Sequence, residues 1–337
     1  MPFIDEILKY KSLSIVGTAK NTGKTECLNY IIRRLKDYNK KIAVTSIGID
    51  GENIDQVTKT HKPEIEIMEN MVFVTTENFY HQKKIISEIL DVSTEITQLG
   101  HLITAKAKNN GKVIIAGPST TKWLKNIIDK MSNYQIDTTL VDGALSRSSL
   151  GSPSITESMI LTTGAALSAN IPSLVKSTNF LYSLINMDNY ISPITEKLIE
   201  INEGIWAIDK NNNIHDLNIQ SSLLLDNSKD KLLEFGTTLF ISGIVTDKIL
   251  NLLRIQKNIS EITIIVKDFT KIFVTPEAYI SYINKGGKIK VLLKTKLIAV
   301  CVNPVSPQGY ILDSNKLINE LSKSLNLPVY NIKSNNY

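Results

Sequence analysis

Cysteine, glycine and proline are all scarce in this chain of 337 residues, which has 2, 16 and 10 of them. Cys27 and Cys301 lie in apolar runs and neither has a Cys-x-x-Cys partner. That excludes a disulfide scaffold and a thiolate zinc site. So little glycine and proline argues against long disordered or repetitive tracts. No charge of one sign dominates either, with 38 Lys+Arg against 33 Asp+Glu and a formal net charge of +5. The densest basic group, Lys288, Lys290, Lys294 and Lys296, is interleaved with apolar residues. It reads as a solvated strand or loop face, so no nucleic-acid partner is expected. Long hydrophobic runs are missing as well. The longest uncharged stretch, 158–175, carries Ser, Thr, Gly, Asn and Pro and falls short of the ~20 apolar residues of a membrane span. The opening MPFIDEILKYKS contains Asp5 and Glu6 and lacks the apolar core of a signal peptide. The expectation is a cytoplasmic protein with no membrane partner. His61, His81, His101 and His215 are far apart and lack metal-ligand spacing, and no G-x-S-x-G elbow is present.

What remains is an ordinary globular composition, 42% hydrophobic and 21% charged, with length for two domains or one large α/β domain. Such a chain buries roughly three quarters of its unfolded surface without help from a disulfide or metal. An apolar run at 13–16 ends in Gly17, and a helical pattern follows over 25–38 with Leu28, Ile31, Ile32 and Leu35 on one face. Strands are expected at 41–45, 71–75, 113–116 and 138–141. Helices are expected at 84–90, 96–107 and 121–131, the last capped by Ser119 or Thr120. Further on come helical stretches at 159–167 and 173–187, a hairpin at 205–208 and 214–217, and strands at 239–242, 263–266, 272–275 and 297–302. A helix over 314–325 leads to a final strand opening at Leu327. Alternating strands and helices with nearly continuous apolar strands predict an α/β fold. Its sheet should be mostly parallel and doubly wound, with an accessory α+β segment. The expected division is a nucleotide-binding core at 1–185, an accessory segment at 186–295, and C-terminal elements at 296–337 completing the core.

The strongest motif is Gly17-Thr18-Ala19-Lys20-Asn21-Thr22-Gly23-Lys24-Thr25, followed by Glu26. It leaves a strand and opens a helix, the context of a P-loop in a nucleoside triphosphatase. Inward-turned backbone N–H groups wrap an anion, a glycine lets the backbone approach phosphate, and the helix N-terminus supplies partial positive charge. Lys24 would bridge β- and γ-phosphates of ATP, and Thr25 would place its hydroxyl on Mg²⁺. The spacing is one residue longer than the common G-x-x-x-x-G-K-[ST], and Thr18 stands where the first glycine usually does. Asp142 ends a strand before Gly143, where a carboxylate can order Mg²⁺ or simply shape a turn. Asp50 ends the strand after the loop helix and has the same two readings, metal ligand or turn, with Glu52 a weaker second choice. Small hydroxyl residues over 143–168, with Arg147, suggest a segment that senses the γ-phosphate or, alternatively, a solvated loop before a packed helix.

The G-T-x-x-x-x-G-K-T form resembles the dethiobiotin synthetase and cobyrinic acid amidase group of P-loop proteins. In that group an asparagine after the equivalent late strand recognises adenine, which makes Asn303 a candidate base reader; a turn residue before Pro304 is the other reading. Four longer strings carry a more specific likeness: SIVGTAKNTGKTECLNYII (14–32), TSIGIDGE (45–52), VDGALSRSSLGSPSITESMILTTGAALS (141–168) and CVNPVSPQGYILD (301–313). They resemble the ATPase-like reactivase subunit associated with adenosylcobalamin-dependent lysine 5,6-aminomutase, over most of the chain. The resemblance implies a chaperone-like reactivase that uses ATP and Mg²⁺ to release damaged cobalamin from an aminomutase of the lysine or ornithine type. It implies that aminomutase as a partner, with a second reactivase subunit or a second copy of this chain as further candidates. Lys24, Asp50 and Asp142 would be its catalytic residues, with Thr25, Asp142 and Asp50 around the metal. The competing expectation is a synthetase that uses ATP to activate a small carboxylate or carbamate. A GTP-binding regulator is disfavoured because no N-K-x-D motif occurs.

Overall fold

The computed structural model describes residues 3–47, 64–144, 152–221 and 231–333. The chain divides into two compact units, one formed by Met1–Asn179 with Lys296–Tyr337 and the other by Phe180–Thr295.

The first unit is an α/β structure built on a nine-stranded mixed sheet. Its strands, in chain order, are β1 (Ser12–Gly17), β2 (Ile42–Ser46), β3 (Val72–Thr76), β4 (Ser87–Thr97), β5 (Gly100–Ala107), β6 (Thr138–Ala144), β7 (Ser158–Gly164), β8 (Lys296–Asn303) and β9 (Val329–Asn331). Across the sheet they lie in the order β9-β8-β7-β1-β6-β2-β3-β5-β4. Every pairing from β9 to β3 is parallel. The β3–β5 and β5–β4 pairings are antiparallel. Period-two alternation divides the core between the two faces. Ile42, Val44 and Phe73 join one apolar cluster with Leu28, Ile31, Ile32 and Leu35 of the helix Lys24–Lys36. Their neighbours Ala43, Val72 and Val74 join a second cluster with Trp123 and Ile127 of the helix Thr121–Lys130. The sheet is therefore covered on both faces there, as its unbroken apolar strands require. Thr120 caps the second helix by accepting from the Trp123 N–H at 3.3 Å.

Several expected elements are corrected. The helices expected at 84–90 and 96–107 are replaced by the β4–β5 hairpin, Ser87–Ala107, at the sheet edge. Two register shifts in β4, between Ile89 and Asp91 and between Val92 and Ile96, put Ile89, Val92 and Ile96 at spacings of three and four. Bulges thus gave an edge strand the apolar period of a helix. The 159–167 run, also expected as a helix, is β7, buried at every position. A strand hidden on both faces carries no alternation and cannot be told from a buried helix by period alone. The expected strand at 113–116 is confined to Gly111–Val113, paired with Ile65–Ile67 outside the main sheet.

The second unit carries a five-stranded sheet in the order Ile214–Ile219, Ile205–Ile208, Thr238–Ile241, Thr263–Val266, Lys288–Val291. The first two pairings are antiparallel and the last two parallel. Helices Asp247–Arg254 and Pro276–Asn284 connect the parallel strands. The expected strand at 272–275 shrinks to Ile272–Phe273, because Pro276 opens a helix capped by Thr275. Among the described residues no helix is long and apolar enough to cross a membrane.

Candidate functional site

Residues 17–25 join the end of β1 to the helix Lys24–Lys36. β1 lies between β6 and β7, where connections depart toward both edges of the sheet. In open parallel sheets the crevice beyond the strand ends at such a point is the usual ligand position.

The loop is held by its own side chains and by β7 and β8. The Thr18 N–H donates to the Thr162 carbonyl at 2.9 Å, continuing the β1–β7 ladder one step into the loop. The Thr22 hydroxyl donates to the Ala19 carbonyl at 2.9 Å and lies 3.1 Å from the Thr162 hydroxyl. The Asn303 amide donates to the Asn21 carbonyl at 3.2 Å, while its oxygen accepts from the Val305 N–H at 3.2 Å. Asn21 and Gly23 are both left-handed, at φ 61° and 91°. Such turns aim successive N–H groups into one concavity. At Gly17 an added Cβ would lie 2.5 Å from the Thr22 hydroxyl. At Gly23 it would overlap Ile332 Cδ1 and sit 3.1 Å from Asn303 Cβ. Neither position has room for a side chain.

Gly23 occupies the N-cap of the loop helix, which therefore has no side-chain cap. Cys27 N–H is already bonded to the Gly23 carbonyl at 2.9 Å. The N–H groups of Lys24, Thr25 and Glu26 precede the first intrahelical bond, and such orphan donors with the helix dipole favour an anion. Lys24 is half-buried, and burial lowers its amine below the usual lysine range, opposed by the charge of Asp142. Glu26 is exposed and accepts from Lys333 Nζ at 2.6 Å. Lys20 is exposed.

Asp142 stands at the ligand end of β6, level with Ile15 of β1 and Ser46 of β2. Its carbonyl accepts from the Ser46 hydroxyl at 3.1 Å. Its Oδ1 is sealed from solvent and has no hydrogen-bond partner among the described residues. Burial raises this carboxyl above its ordinary range, against the pull of Lys24 and of the Gly143 N–H. A buried acceptor with no donor is uncommon and calls for a cation or a proton. Gly117 packs against the Ser46 carbonyl so closely that a Cβ would overlap it, which brings the segment before Thr120 to the same strand ends. Asp50, Glu52 and Arg147 lie outside the described residues.

The donor set suits Mg²⁺ better than a zinc-like ion. No cluster of three or more His, Cys, Asp or Glu occurs among the described residues. Mg²⁺ typically takes one or two carboxylates and completes its shell with water and phosphate. The unpartnered Asp142 Oδ1 and the Thr25 hydroxyl in the first helical turn fit that pattern.

Asn303 was considered as a base reader or a turn residue; in the structure both ends of its amide are engaged with backbone, one of them in the loop itself. The bracing by Thr162, Thr163 and Ile332 escaped sequence reasoning. Its only signal was the pair of threonines in an apolar run, read there as helical. No protein-family model, no curated protein and no solved structure matches this chain.

Proposed function

We propose that this chain is a P-loop nucleoside triphosphatase that binds ATP with Mg²⁺ at residues 17–25, and that it reactivates an adenosylcobalamin-dependent aminomutase. One observation carries the nucleotide reading. A preorganised loop with uncapped helix N–H groups lies near Asp142, whose buried Oδ1 has no hydrogen-bond partner among the described residues. The reactivase reading is supported by the four strings quoted above, chiefly the one at 141–168.

The roles follow from the residues. The N–H groups of Lys24, Thr25 and Glu26 would hold phosphate oxygens, while Thr18 N–H is already committed to Thr162. Lys24, with its charge disfavoured by burial, regains its full preference for the ammonium form beside phosphate. Thr25 and Asp142 would hold Mg²⁺, which supplies charge neutralisation of the phosphates when bound. Asp142 then exchanges an unfavourable buried charge for a compensated one. ATP and ADP states must contact the aminomutase differently for hydrolysis to perform work on it.

The test has two stages. Saturating ATP and Mg²⁺ at about 100 times Kd should stabilise the wild type by about 2.7 kcal/mol, roughly 5–10 °C in Tm. Lys24→Ala should lose that shift while keeping its unliganded Tm within a few degrees. An unchanged ATP shift in folded Lys24→Ala would remove the loop from the reading. ATP hydrolysis should then rise on adding the aminomutase holoenzyme. Turnover of a small carboxylate with no protein partner would replace the reactivase by a synthetase.

A further inference from the structure

β7 connects to the loop by more than its backbone ladder. The Thr18 hydroxyl donates to the Thr163 hydroxyl at 3.2 Å. Thr163 lies 3.1 Å from the Thr178 hydroxyl, and Thr178 donates to the Leu174 carbonyl at 2.9 Å. Each hydroxyl has one proton to give. Thr178 spends its proton on Leu174, so Thr163 must donate to Thr178 and accept from Thr18. The chain is therefore directed, from the loop, through β7, into the helix Ile171–Ile185. Thr163 and Thr178 are completely buried, so water does not replace a lost partner.

We propose that Thr163 and Thr178 are positioning residues that couple the occupancy of the loop to the helix Ile171–Ile185, and through it to the second unit. This rests on the nucleotide reading above. The end of β7 has little freedom to absorb a displacement of Thr18. Thr162 is bonded to the loop on one side, and Ala165 N–H donates to the Asn303 carbonyl at 2.9 Å on the other. A Cβ on Gly164 would overlap that same carbonyl, and the Tyr310 hydroxyl donates to the Ala165 carbonyl at 2.6 Å. A clamped strand passes the change to the hydroxyl that Thr163 meets beyond the loop among the described residues. That partner, Thr178, back-bonds to the carbonyl four residues earlier, an arrangement that weakens or bends helices locally. The first unit's segment ends one residue later, at Asn179, and the same helix continues into the second unit from Phe180. A change in the Thr178 bond is thus delivered where the chain passes between units. The arrangement also gives Thr18 a use: it replaces the glycine of the common motif because its hydroxyl starts the chain.

The test is amide hydrogen exchange on the full chain, with Mg²⁺ and a non-hydrolysable ATP analogue, beside a thermal-shift measurement of binding. In the wild type the analogue should raise Tm and slow exchange in peptides covering 179–185. Thr178→Val keeps the shape but removes the hydroxyl. It should leave analogue affinity within about threefold of wild type and abolish the exchange response beyond residue 179. Thr178→Ser should restore it, which a purely structural role would not predict. Binding without any change at 179–185 in the wild type, or a response that survives Thr178→Val, would overturn the coupling and leave nucleotide binding standing. Absence of a Tm shift in the wild type would overturn both.

Discussion

Gly23→Ala separates two physical effects that meet at one atom. Gly23 sits at φ 91°, ψ 20°, a left-handed conformation that costs an L-residue about 1–2 kcal/mol. The new methyl would also overlap Ile332 Cδ1 and press on Asn303 Cβ at 3.1 Å. Ile332 has little backbone freedom to retreat, because its N–H donates to the Val302 carbonyl at 3.2 Å. Overpacking of this kind adds about 1–3 kcal/mol. The sum of about 2–5 kcal/mol lowers Tm by the order of 10 °C in a unit of this size. Thermal unfolding followed by circular dichroism, without nucleotide, measures it. The decisive comparison repeats the substitution in an Ile332→Ala background. There most of the overlap is gone and only the backbone penalty of about 1–2 kcal/mol should remain. The difference is the coupling energy of a double-mutant cycle. Effects additive within about 0.5 kcal/mol would refute the contact between the loop and the C-terminal strand. A Gly23→Ala protein as stable as wild type would refute the left-handed loop altogether.

Two further outcomes follow from the buried groups. Asp142→Asn should leave the unliganded protein as stable as wild type or more so at neutral pH, while removing Mg²⁺-dependent nucleotide binding. The sign comes from the raised carboxyl: the native state holds the proton more tightly than the unfolded chain, so wild type loses stability as pH rises through the raised value. The gap between variant and wild type should therefore be absent below the ordinary carboxyl pKa, open above it and then stay constant, as urea unfolding across pH would show. A variant less stable than wild type at pH 7 would sink this account. Cys27 and Cys301 lie with Sγ atoms 3.7 Å apart, both fully buried, and the contact with Cys301 together with burial raises the Cys27 thiol. Both should resist an aromatic disulfide reagent in the native protein and react in denaturant; rapid native labelling would contradict the packing of the loop helix on β8.

Much of the loop's geometry was legible because its signals are local. A strand ending in Gly17, a glycine that admits a left-handed turn at 23, and Leu28, Ile31, Ile32 and Leu35 at helical spacing are each set within a few residues. Asp142 lies inside β6 rather than at its close, because the strand runs two residues past it, to Ala144. The bracing was not legible, since Thr162, Thr163, Asn303 and Ile332 reach the loop only through the order of the sheet. Two elements were misread for opposite reasons. β4 has a false helical period because bulges rephase it, and β7 has no period because both of its faces are buried. The β-branched residues in both, such as Ile89, Val92, Ile160, Thr162 and Thr163, favour strands and were the better guide.

The insertion of residues 180–295 between β7 and β8 has a consequence for synthesis. At about 5–20 residues per second, β7 waits of the order of ten seconds after leaving the ribosome before β8 exists to cover its open edge. During that interval an apolar strand with unpaired amides is available to any passing chain. The loop at 17–25 is made long before Asn303 and Ile332, which hold it in shape. The braced form of the loop is thus acquired only once residue 332 has been made, and a nascent chain stalled in the second unit has a complete motif but an unbraced loop.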